Sequence, residues 1–82
     1  MNINKIYDTI EAKVTALTGT RPNATEKLGS DLGLDSLDNL EIIWEVEREH
    51  NVSISGEVVA KIPADATLLD LTILLTFYLN DK

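Results

Sequence analysis

No cysteine occurs in the 82 residues, which excludes disulfides, thiolate nucleophiles and thiolate-ligated zinc or iron–sulfur sites. A single histidine, His50, excludes a multi-histidine metal centre, and no metal site is expected. Basic residues are scarce: 7 Lys plus Arg stand against 14 Asp plus Glu, a net charge of -7 with pI near 4.4. Such a surface repels phosphate backbones, so nucleic acid is not an expected partner. No apolar run approaches the roughly 18 residues of a membrane span, and no basic-then-apolar leader opens the chain. The expectation is a soluble, monomeric, cytoplasmic protein with no membrane span.

Hydrophobic residues still make up 44% of the chain, enough for a core, so acidity here does not imply disorder. With two prolines and one Trp, two Tyr and one Phe, helices suit so short a chain better than sheet, because their hydrogen bonds are local. A single domain over residues 1–82 is expected. Ile3, Ile6, Ile10, Val14 and Leu17 recur at helical spacing and predict an amphipathic helix over residues 4–18, closed by Gly19. Residues 19–35 then lose any period and read as a long connection, with Leu28, Leu32 and Leu34 turned to the core.

A second helix is predicted from Ser36 to His50, capped by Asp35, with Asp38 and Glu41 at its positive end. Residues 56–62 suggest a short helical turn closed by Pro63. Thr67 and Asp70 resemble a capping box that opens a last helix to residue 79. That helix is apolar nearly all round and is expected to be the most buried element. The fold class is therefore all-α, with three longer helices and one short one.

The second helix has two apolar faces. Stepping 100° per residue puts Ile42, Ile43 and Val46 on one side, with Asn39 and His50 at its edge. Leu37, Leu40 and Trp44 fall on the other, among Asp38, Glu41, Glu45 and Arg48. Residues 31–49 hold seven acids and one base, half of the chain's acids. An acidic helix face studded with apolar side chains reads as a docking surface for a basic partner. The alternative is a solvated acidic face, with Leu40 and Trp44 packed under the short third helix.

Intrinsic catalysis has little to work with, and no catalytic residue is assigned. A nucleophilic serine needs a base, and the only histidine lies near 20 Å from Ser36 along the same helix at 1.5 Å per residue. Asp31, Gly33, Asp35 and Asp38 hint at a calcium loop, but the central glycine is missing and Ile42 stands where the bidentate glutamate belongs. What remains is Ser36 at a helix N-terminus. Free N–H groups and the helix dipole there favour a phosphate ester, either a phosphoserine or a phosphate-linked prosthetic group. A plain helix-start serine reads the same way from residues alone.

Asp31-Leu32-Gly33-Leu34-Asp35-Ser36-Leu37-Asp38 resembles the D-L-G-x-D-S-L-D signature of acyl carrier proteins. The resemblance continues through Leu40-Glu41-Ile42-Ile43, the acidic residues 45–49 and Ile54, and more weakly through Lys61-Ile62 and residues 67–70. It implies a four-helix bundle in which Ser36 carries 4′-phosphopantetheine, installed from coenzyme A by a phosphopantetheinyl transferase with Mg²⁺. Asp35 matches the position that assists modification, near that Mg²⁺. Leu37, Asp38 and Glu41 match partner-facing positions; Leu40, Trp44 and Glu45 join them on the same face. The implied partners are acyl-transferring and acyl-modifying enzymes with basic docking patches, in fatty acid, polyketide or specialised lipid biosynthesis. An aminoacyl or peptidyl carrier, or an unmodified carrier-like interaction subunit, is the alternative.

Several positions depart from the common fatty-acid pattern: Trp44, Arg48, His50, Ser55-Gly56 and residues 63–66. They leave attachment at Ser36 untouched and leave the choice between housekeeping and specialised pathway open. If His50 is partly buried, its charging just below neutral pH is expected to loosen the bundle.

Overall fold

The computed structural model describes residues 2–80, which form four helices: α1 Ile3–Thr18, α2 Ser36–His50, α3 Gly56–Ala60 and α4 Leu68–Asn80. It is an all-α bundle, with α1 packed against both α2 and α4. Asn2 caps α1, its side chain accepting the Asn4 N–H at 2.8 Å. Ile6, Ile10 and Val14, the centre of the predicted stripe, are fully buried. Gly19 ends the helix at φ +80°, where its N–H reaches the Thr15 carbonyl; only glycine takes that conformation without steric cost.

Asn51 ends α2 in the same left-handed conformation, a role its short amide side chain tolerates. Arg48 and His50 in the last turn suit the negative end of the dipole. Ile42, Ile43 and Val46 are buried as their spacing predicts. Beyond the helix, a Glu47 carboxylate oxygen accepts the Ile54 N–H at 2.8 Å and so ties the next loop back to α2. The short α3 contributes Val58 to the core, and its cap Ser55 makes no side-chain bond.

The long connection between α1 and α2 is held by backbone bonds to the entry of α4. The Leu28 N–H reaches the Ala66 carbonyl at 3.0 Å, the Leu68 N–H that of Glu26 at 3.1 Å, and the Leu69 N–H that of Ala24 at 2.9 Å. Lys27 and Thr67 thereby form an isolated antiparallel bridge. Leu28 and Leu34 are buried and Leu32 packs against the core, as expected of this loop.

The last helix holds the largest share of buried residues of the four, five of its 13, as expected. Its capping box is present: Thr67 Oγ1 accepts the Asp70 N–H and an Asp70 carboxylate oxygen accepts the Thr67 N–H. Yet α4 is not sealed inside the bundle, because Leu69, Ile73 (49% exposed) and Phe77 (71% exposed) form an outward stripe at i, i+4, i+8. Thr72 and Thr76 are buried in place of apolar residues. The Thr72 hydroxyl is satisfied by donating to the Leu68 carbonyl at 2.9 Å, which removes most of the cost of burying it.

Candidate functional site at the start of the second helix

Four residues of the loop before Ser36 build the platform that presents it. An Asp31 carboxylate oxygen accepts the Lys27 N–H at 2.8 Å, while the Asp31 and Leu32 N–H groups both return to the Lys27 carbonyl. Gly33, at φ +71°, donates to the Gly29 carbonyl at 2.9 Å, and Leu34 donates to that of Leu28 while burying its side chain. Asp31 and Gly33 are therefore turn-forming residues. Leu34 is the anchor that fixes where the helix begins.

Ser36 is the first residue of α2 and is exposed. Asp35 precedes it as N-cap in a reciprocal capping box: Asp35 Oδ1 accepts the Asp38 N–H at 2.9 Å and Asp38 Oδ2 accepts the Asp35 N–H at 3.1 Å. The Asn39 N–H bonds the Asp35 carbonyl. Of the first-turn donors, those of Ser36 and Leu37 alone have no partner among the described residues. Two unpaired N–H groups beside an exposed hydroxyl, at the positive end of a 15-residue helix, fit a phosphate ester on Ser36.

The outward face of α2 gathers the remaining residues. Leu37 is 59% and Trp44 54% exposed; Leu40, Glu41 and Glu45 are half-buried. Trp44 does not pack beneath α3. It borders a shallow depression shared with Lys13 of α1, Glu41, Glu45 and Arg48. The face is also less uniformly acidic than its composition suggests, because Arg48 Nη2 donates to both carboxylate oxygens of Glu45, at 2.7 and 2.6 Å. That bond, with the charge of Glu45, holds the Arg48 guanidinium protonated more firmly than usual, its pKa raised. Glu45 therefore enters the face already paired, and Asp38 doubles as a cap.

His50 sits at the other end of α2, half-buried, with Nε2 2.8 Å from Thr9 Oγ1. The Thr9 hydroxyl also lies 3.0 Å from the Lys5 carbonyl, so which partner donates across the Thr9–His50 contact depends on the imidazole tautomer. The described residues hold no cluster of three or more His, Asp or Glu placed for a metal ion. No described helix is long and apolar enough to cross a membrane.

Residues 5–72 match the protein family described as the phosphopantetheine attachment site. The chain is 36% identical over 66 residues to the acyl carrier protein of Chlorobium phaeobacteroides, covering 80% of this chain and 83% of that one. It is 39% identical over 59 residues to the acyl carrier protein of Chlorobium phaeovibrioides, with 72% and 74% covered. Against acyl carrier protein 3, chloroplastic, of Hordeum vulgare it is 34% identical over 71 residues, 83% of this chain and 53% of that protein. The chain thus spans about half the length of the Hordeum protein.

Proposed function

The chain belongs to the acyl carrier protein family, and from that premise we propose that Ser36 is the residue that bears its 4′-phosphopantetheine. The observation that carries the assignment is the exposed Ser36 hydroxyl beside the two unpaired first-turn N–H groups. When bound, the group supplies the thiol that the chain lacks, and holds acyl groups as thioesters. The protein's own part is to present and orient. Leu34 and Gly33 fix the start of α2, the Asp35–Asp38 box keeps its first turn closed, and the unpaired Ser36 and Leu37 N–H groups would be the donors available to the ester. Asp35, exposed and next to Ser36, is placed to assist a phosphopantetheinyl transferase at the Mg²⁺ that the transferase brings.

In this reading the protein is itself non-catalytic, a monomeric single domain over residues 1–82 that delivers acyl groups to enzymes of fatty acid, polyketide or specialised lipid biosynthesis. Leu37, Asp38, Leu40, Glu41, Trp44 and Glu45 form the docking face for basic patches on those enzymes. Their exposed apolar area supplies affinity, and the surrounding acids supply steering and orientation. A cytoplasmic location follows from the need to meet the transferase where coenzyme A and Mg²⁺ are available. Mass analysis of the Ser36-containing peptide from protein purified from its natural host tests the assignment. Phosphopantetheine on that peptide is the expected result. A bare or merely phosphorylated Ser36 in all of the protein would point instead to an unmodified interaction subunit.

A further inference from the structure

Two buried side-chain oxygens have no hydrogen-bond partner among the described residues, Asn39 Oδ1 and Thr76 Oγ1. Thr76 lies in the last turns of α4, in the lining of a depression shared with Ile3, Ile73 and Phe77. Asn39 lies one helical turn after Ser36. At 100° per residue it is about 60° around α2 from Ser36, and the buried Ile42 and Ile43 flank it on either side. Asn39 as a whole is only half-buried, so the orphaned oxygen sits close beneath the surface, at the edge of the core.

An unsatisfied buried acceptor costs more than an ordinary hydrogen bond returns, and an apolar residue at this position would avoid the cost. Its helix neighbours Ile42 and Ile43 have no side-chain donor to offer. A group tethered at Ser36 does bring donors to this place, because positions three apart on a helix are neighbours, with about 5–6 Å between Cβ atoms. We propose that Asn39 Oδ1 accepts a hydrogen bond from an N–H or O–H on the group tethered to Ser36 as that group folds back along α2. With the donor on the cargo, Asn39 is a specificity-determining residue that favours hydroxyl- or amine-bearing acyl groups over unsubstituted ones; with the donor on the arm, it holds every loaded form alike. The inference rests on Ser36 being the attachment site. Two sources share the chemistry: an amide N–H of the pantetheine arm, or a hydroxyl or amine on the cargo.

The test loads wild type, Asn39→Leu and Asn39→Ala from coenzyme A, octanoyl-coenzyme A and 3-hydroxyoctanoyl-coenzyme A with a broad-specificity transferase. Melting temperature is read for each loaded form against the same variant unloaded, together with the NMR signals of the wild-type Asn39 side-chain amide. A cargo donor makes the wild-type 3-hydroxyoctanoyl form melt about 4–8 °C above the octanoyl form, the shift expected of one net hydrogen bond in a domain of this size. An arm donor produces that rise already with coenzyme A alone. In both cases the rise disappears in the two variants, and the Asn39 amide signals move on loading. Equal rises in wild type and variants for all three groups, with unmoved Asn39 signals, would overturn the inference. Absence of any mass gain in folded wild type would overturn the Ser36 assignment and this inference with it, so the mass separates the two failures. If one variant does not fold, the other and the wild-type NMR signals still decide.

Discussion

Reversing charge at Asp38 and at Glu41 separates docking from folding. Both positions lie on the proposed partner face, and each substitution to lysine changes the net charge from -7 to -5, so relief of self-repulsion is common to the two. From the sequence, neither reversal is expected to change the melting temperature. The structure amends that for Asp38, whose carboxylate accepts the Asp35 N–H at 3.1 Å in the first turn of α2. Asp38→Lys removes this half of the capping box and replaces an anion with a cation at the positive helix end. The two effects together cost about 1–2 kcal/mol, which is roughly 5–15 °C in melting temperature for a domain of this length. Glu41 makes no hydrogen bond or ion pair among the described residues, and Glu41→Lys should stay within about 0.5 kcal/mol of wild type. Circular dichroism melts read the stability, and transferase KM on the apo-protein reads the docking. KM should rise for both variants, with kcat little changed, while Asp38→Asn, which keeps an acceptor oxygen, recovers most of the lost stability. Asp38→Lys melting level with Glu41→Lys would refute the reasoning.

Three further predictions concern the scaffold. Burial, with the nearby Glu11 carboxylate, raises the pKa of Tyr7 above 10.0; the folded state then holds that proton more tightly, so the contribution is present below pH 10 and is lost as pH rises further. Urea midpoints should fall above pH 10 less steeply in Tyr7→Phe than in wild type, and parallel curves would count against it. Along α4, Leu75→Ala at a fully buried site should cost about 2–5 kcal/mol, whereas Phe77→Ser at a 71% exposed one should cost under about 1 kcal/mol; similar losses would contradict the observed orientation of the helix. Gly33→Ala meets no atom within 4 Å of the added Cβ, yet φ is +71°, so left-handed backbone strain alone should lower stability by about 1–2 kcal/mol. An unchanged urea midpoint would show that the loop simply relaxes.

Local signals carried most of the architecture. The stripe of Ile6, Ile10 and Val14 has one partner face and one period, so its burial was readable directly, and Asp35 and Thr67 announced their helices through capping chemistry. Periodicity marks the last helix as the most buried but cannot rank its faces, because Leu69, Leu71, Ile73, Leu75 and Phe77 offer apolar residues all round. Which side turned inward was decided by packing against α1, and a threonine that bonds its own helix was an adequate core residue. The bonds linking Leu28, Glu26 and Ala24 to the entry of α4 join two irregular segments and leave no periodic trace. At the site, the serine, its cap and the exposed Leu37 were legible from spacing. The pairing of Glu45 with Arg48 was open to an i, i+3 charge reading, which the count of acids obscured. The orphaned oxygen of Asn39 was not legible, since a polar residue at the edge of a core face looks the same whether or not its partner is within the chain.

The central claim is that this chain carries a phosphopantetheine on Ser36, and an intact mass tests it most directly. Wild type and Ser36→Ala are each incubated with coenzyme A, Mg²⁺ and a broad-specificity phosphopantetheinyl transferase, beside a control carrier that is known to load. Wild type is expected to gain one phosphopantetheine and Ser36→Ala none. Equal gains in the two chains, or no gain in a folded wild type while the control loads, would contradict it.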